Sequence, residues 1–233
     1  MPNVRRVVPA DQAAGLRRTQ TRRGVQVVTV FTTQRNLAAR LARALQNAAN
    51  RILLISGAAR PVQALRTQSI FGWQQQVARQ CLQPTSVEGI PTLNAPGARA
   101  GEAALVQTSA DYDYALFDWA YPEDEALSLD PRTSQTLVVD VISQQPEALC
   151  KVYALLKTLH QHNLNWRVIL CGEPALCDRI IAATHYFISA QSSCLEVASL
   201  EADAHLTALA ARISAAEVST GRCFNKNIGG ECA

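Results

Sequence analysis

Seven cysteines and four histidines are the residues of this 233-residue chain best suited to hold a metal, pair as disulfides or act as nucleophiles. Cys81, Cys150, Cys171, Cys177, Cys194, Cys223 and Cys232 form no C-x-x-C pair and are odd in number. Such spacing argues against a disulfide framework and against a structural zinc site. The first five read as buried, reduced thiols. His160 and His162 stand two apart on an expected helix, hence on different faces, and no metal site is expected.

Arginine is the other residue type with a pattern. Residues 1–80 hold thirteen arginines, no lysine and one acid, Asp11, a net charge of +12; residues 81–233 hold nine bases against eighteen acids, a net −9. The N-terminal third therefore offers a basic surface to an acidic protein, anionic lipid or nucleic acid, although the acidic remainder can neutralise part of it.

Within that basic third, a leader over residues 1–24 contains Asp11-Gln12-Ala13-Ala14-Gly15-Leu16-Arg17. Pro9 and Asp11 make a helix start, the Asp11 carboxylate accepting hydrogen bonds from free backbone N–H groups of the first turn. A helix is expected at about residues 11–20, stopping near Gly24. So short a helix is marginal in water and folds fully only against a surface.

Hydrophobic residues make up 48% of the chain and charged residues 18%, enough for a large core. No apolar run reaches the roughly 18 residues that span a bilayer. The opening MPNVRRVVPADQ lacks an apolar signal region, so a cytoplasmic location is expected. Apolar runs predict strands at residues 25–31, 52–55, 90–93, 114–117, 136–141, 166–171, 186–189 and 195–199. Helical spacing predicts helices at 36–50, 100–108, 146–162, 174–184 and 202–217. This alternation predicts an α/β fold with a mainly parallel sheet flanked by helices. One domain is expected over residues 25–218, with a polar, disordered tail over 219–233.

The heptapeptide, placed just ahead of the first strand, resembles the N-terminal activator motif of the FlhG/FleN family, MinD-like regulators of flagellar number and position. Other segments fall in register with that branch of P-loop proteins over about residues 11–185. Arg51-Ile52-Leu53-Leu54-Ile55 resembles its RVLLID strand, and Gly89-Ile90-Pro91-Thr92-Leu93-Asn94-Ala95-Pro96-Gly97 its GIKIIPASSG stretch. Tyr112-Asp113-Tyr114-Ala115-Leu116-Phe117-Asp118 resembles YDYIIID, which ends in the Walker B aspartate. Pro146 to Leu149 with Tyr153 to Lys157 resembles PEPxSLxDAYxLIK. The resemblance implies a MinD-like fold of the SIMIBI P-loop class.

The departures fall where that family binds ATP. Its KGGVGKT loop wraps phosphates with glycine backbone and lysine charge. Here the stretch is Phe31-Thr32-Thr33-Gln34-Arg35-Asn36, shorter and without glycine or lysine. Ser56-Gly57 stands in place of the aspartate after the second strand, and Cys171 in place of the asparagine that reads adenine. Asp118 alone is retained. The degenerate site, with Thr33, Gln34, Arg35, Ser56, Asp118 and Cys171, reads as that of a pseudo-ATPase. No cofactor is expected, ATP and magnesium entering only if this site still binds them. Arg35 also reads as a plain surface arginine, and Asp118 equally as a cap.

The resemblance implies a partner, the FlhF-type GTPase that marks the flagellar pole. In that reading Gln12 is catalytic in trans, orienting water or a loop near the γ-phosphate. Leu16 and Ala13 make apolar contact, Asp11 starts the helix, and Arg17 and Arg18 steer. It also implies polar recruitment, contacts to the flagellar switch or a transcriptional regulator, and at most peripheral membrane contact. Three alternatives stand beside it: a weak ATPase using Arg35 and Asp118, a ParA-like non-specific DNA binder using the arginines, and a leader helix folded back on its own domain. The last helix, with Leu206, Leu209, Ile213 and Ala216 on one face, is expected to pack on the core rather than anchor in a membrane.

Overall fold

The computed structural model describes residues 25–32, 34, 36–57, 69–79, 82–96, 98, 102–119, 135–141, 146–161, 167–188, 195–199 and 202–215. Eight strands form one sheet: β1 (Gln26–Phe31), β2 (Ile52–Ser56), β3 (Thr85–Val87), β4 (Ile90–Asn94), β5 (Tyr114–Trp119), β6 (Gln135–Val141), β7 (Arg167–Gly172) and β8 (Leu195–Ala198). Their spatial order is β3-β4-β2-β5-β1-β6-β7-β8. Every pairing is parallel except β3 with β4. Among the described residues six helices flank it: α1 (Leu37–Asn47), α2 (Ile70–Ala78), α3 (Ala103–Ser109), α4 (Pro146–Gln161), α5 (Pro174–Ile188) and α6 (Asp203–Ala215).

Side chains alternate across each strand, so both faces must be covered. One face carries Val28, Val30, Leu54, Leu116, Val138 and Ile169 under α1 and α6. The other is covered in two parts, by α2 and α3 over β2 and β5 and by α4 and α5 over β6 and β7. Leu206, Leu209 and Ile213 of α6 are buried in the cluster under α1, the core packing expected of the last helix; Ala216 lies outside the described residues. Arg40 and Asp203 tie the two helices at 2.7 Å.

Three elements differ from expectation. The strand expected near 186–189 does not form: α5 continues to Ile188, because Leu176, Cys177, Ile180 and Thr184 bury at helical spacing while Tyr186 and Phe187 stay exposed. Helix α2 had no periodic signal because Trp73 is its one buried residue; Ser69 caps it, accepting a hydrogen bond from the Gly72 N–H at 3.0 Å. Strand β3 is a polar edge of three residues, turned onto β4 through Glu88 and Gly89, both at positive φ. The leader and its expected helix, and the tail over 219–233, lie outside the described residues.

Candidate functional site at the carboxyl ends of the central strands

Strand β1 lies between β5 and β6, and the chain leaves it through α1 toward β2 on one side while β6 continues through α4 to β7 on the other. In open α/β sheets this reversal opens a crevice at the carboxyl ends of the strands, where ligands bind. Register places Asp118 beside both Ser56 and Val30, and Asp140 beside Cys171. Each lies two residues beyond a side chain buried under α1: Ser56 after Leu54, Asp118 after Leu116, Asp140 after Val138, Cys171 after Ile169. Thr32 follows Val30 in the same way. Alternation therefore brings five non-aliphatic side chains to one face, at the end where α1 begins.

The turn between β1 and α1 is closed by hydrogen bonds to a carboxylate. Thr32 Oγ1 donates to Asp140 Oδ2 at 2.8 Å, and Gln34 Nε2 donates to Asp140 Oδ1 at 3.4 Å. The Gln34 backbone N–H donates to Thr32 Oγ1 at 2.9 Å. Thr32 is 8% exposed and Asp140 4%. Asn36 then turns the chain into the helix with φ of 68°, a left-handed geometry that asparagine tolerates. The first turn of α1 holds no acidic residue and no side-chain cap. A five-residue connection thus joins β1 to α1, with an internal acid bonded to it.

The neighbouring groups are polar and buried or half-buried. Burial pushes the Asp118 carboxyl up to about 6. Ser56 Oγ is buried without a partner among the described residues, as is Trp119 Nε1. Trp119 lies on the opposite face, beside both clusters there, edge-on to Phe117 at 6.3 Å. Its indole fills the space over Gly57, where an added Cβ would come within 2.5 Å of Nε1. Burial, assisted by the Asp140 charge, pushes the Cys171 thiol up to about 12, so it stays protonated and inert as a nucleophile.

Of the residues singled out from sequence, Gln34, Ser56, Asp118 and Cys171 gather at this end of the sheet. Thr33 and Arg35 lie outside the described residues, as do Asp11, Gln12, Ala13, Leu16, Arg17 and Arg18. Asp140, Thr32 and Trp119 were not singled out. A single acid inside the apolar run Thr136 to Val141 was the available signal for Asp140, since a buried carboxylate requires donors. Among the described residues no helix is long and apolar enough to cross a membrane.

This architecture is that of MinD and plasmid-partition ATPases, a mainly parallel eight-stranded sheet between helices. The MinD cell division protein of Aquifex aeolicus superposes with a TM-score of 0.56 at 13% identity, over 82% of this chain and 97% of that one. The same values of TM-score and identity hold for a MinC:MinD cell division protein complex from that organism, over 82% of this chain and 96% of that one. A plasmid partition protein from Borrelia burgdorferi superposes with a TM-score of 0.54 at 12% identity, over 82% and 99%. No protein-family model matches the sequence, and no curated protein matches it either. What is shared with the solved structures is the fold.

Proposed function

We propose that this chain is a MinD-fold regulator of the FlhG type, which works without nucleotide and acts on an FlhF-type GTPase through its N-terminal helix. The observation that carries the first half is the Thr32–Asp140–Gln34 network. A triphosphate needs backbone N–H groups and cations around it. Among the described residues, the turn of this chain presents a buried carboxylate bonded to the Thr32 hydroxyl and the Gln34 amide. Like charge and lost donors would both oppose an entering phosphate. The residues do not suit ATP, and no chemical step is assigned to it.

The second half rests on the heptapeptide, Asp11 to Arg17, ahead of β1. In this reading Gln12 completes the partner's catalytic site in trans, Leu16 and Ala13 supply the apolar contact, and Arg17 and Arg18 oppose phosphate charge. The domain carries and places the helix. Recruitment to a cell pole and contacts to a flagellar switch or transcriptional regulator follow from the same family reading.

The test is GTP turnover by an FlhF-type GTPase with the full chain, with its Gln12→Ala variant and with a peptide of residues 1–24. Stimulation by chain and peptide, lost in the variant, is expected; no stimulation by either removes the GTPase reading. Magnesium-dependent ATP binding that disappears in Asp118→Ala would overturn the nucleotide-free half.

A further inference from the structure

The described chain begins at the amino end of the sheet, beside a cavity. Val25 packs on the cluster that also holds Leu82, Ala104 and Tyr112, and the Gln26 N–H donates to the Asp113 carbonyl at 3.0 Å. Leu82, Ala104 and Tyr112, with Pro84, Gln107 and Asp111, line a cavity of about 310 Å³. Ala104, Gln107 and Asp111 follow one helical face of α3 and its end, so the cavity runs along that face. Its volume is at the lower limit of roughly 300–1,000 Å³ typical of small-molecule sites, better matched to a side chain or two than to a cofactor.

The rim is acidic. Arg51 engages the neighbouring Asp113 at 3.1 Å, which leaves Asp111 as the exposed acid facing outward. The segment entering here carries Arg5, Arg6, Arg17, Arg18, Arg22 and Arg23 against Asp11. Leu16 is nine residues from Val25, which reaches from roughly 14 Å if helical to about 30 Å if extended. The leader, expected to fold as a short helix only against a surface, therefore joins the described chain next to a cavity of mixed lining, with Leu82, Pro84 and Ala104 beside Gln107 and Thr108 and with Asp111 at its edge.

We propose that this cavity is the resting dock of the leader, with Leu16 seated in it and Arg22 and Arg23 facing Asp111. Docked, the leader hides the apolar residue that the proposed partner contact needs, so the domain withholds its own activator. The docking stands on the geometry above; only its regulatory meaning rests on the GTPase reading.

Amide hydrogen exchange on the full chain, without any partner, tests it. Residues 11–20 are expected to exchange at least about tenfold more slowly than in the free peptide of residues 1–24, an effect that corresponds to most molecules being docked. Leu16→Ser, which leaves the domain's own residues intact, and Asp111→Arg are each expected to remove that protection. Joining Asp111→Arg to Arg22→Asp and Arg23→Asp is expected to restore part of it. Equal exchange in chain and peptide overturns the proposal, as does protection that persists in Leu16→Ser. Protection that grows with protein concentration assigns the dock to the leader of a second copy and overturns it as well. Because no GTPase is present, protection without any GTP stimulation would keep the dock and remove the partner reading, and the reverse result would do the opposite.

Discussion

Two carboxylates in this molecule are held in opposite ways. Asp140, at the carboxyl end of β6, is buried and accepts hydrogen bonds from the Thr32 hydroxyl and the Gln34 amide. Glu196, on the outer strand β8, sits between two guanidinium groups. Arg167 reaches it at 2.6 and 2.9 Å, and Arg212 bonds the same carboxylate and also donates to the Val197 carbonyl at 3.0 Å. Glu196 is a fastener of α6 onto the sheet edge, its charge neutralised and partly hydrated. Asp140 is buried at the end of the sheet and holds the turn after β1 through the Thr32 hydroxyl and the Gln34 amide. Where each acid sits decides what it holds: Asp140 ties the turn after β1 to the end of the sheet, and Glu196 staples an edge.

Breaking the two acids should therefore cost different amounts. Asp140→Ala strands the Thr32 hydroxyl and the Gln34 amide in a buried place, and is expected to destabilise the fold by about 3 kcal/mol in denaturant unfolding. A cost as small as that of an exposed pair would remove the distinction. The crevice can also be probed through its second acid. The Asp118 carboxyl is raised by burial to about 6, so the folded state binds its proton more tightly than the unfolded chain does. Stability should accordingly rise as pH falls from above 6 toward about 4, by roughly 2–3 kcal/mol. Asp118→Asn is expected to abolish that rise and to stabilise the protein at pH 7; a pH profile unchanged by the substitution would contradict it.

The smallest effect belongs to the edge. Arg167's hydrogen bonds outweigh burial and, with Arg212, hold the Glu196 carboxyl below its ordinary value. Its stabilisation is complete above the unfolded glutamate value of about 4.3 and fades as pH falls through the lower folded value. Because all three side chains are partly solvated, Glu196→Gln is expected to cost about 1 kcal/mol at pH 7. High salt should shrink that cost and leave the cost of Asp140→Ala nearly unchanged.

The same contrast explains what could be read from the sequence. Apolar runs announce seven of the eight described strands, and helical spacing announces α1, α3, α4, α5 and α6. Strand β3 is polar and short, and α2 buries only Trp73, so neither leaves a period to detect. Tyr186 and Phe187 mislead because two adjacent apolar residues look like a strand until their exposure is known. At the crevice, Ser56 and Cys171 were visible as departures from a family pattern, and Asp118 as the residue retained from it. Asp140 was not, because the donor that explains it is 108 residues away at Thr32. Long-range pairing of that kind has no local signature.

That separation also carries a kinetic consequence. Strand β1 pairs with Tyr114 to Trp119 on one side and with residues from Gln135 on the other. The first of the described strands is thus a central one, whose neighbours arrive some 85 to 110 residues later. Contacts so distant along the chain form slowly, since the intervening loop must be closed before they return any energy. The segment that bears the leader can lock into place only once the chain has been made through β6, so the leader's root becomes fixed only as the sheet nears completion.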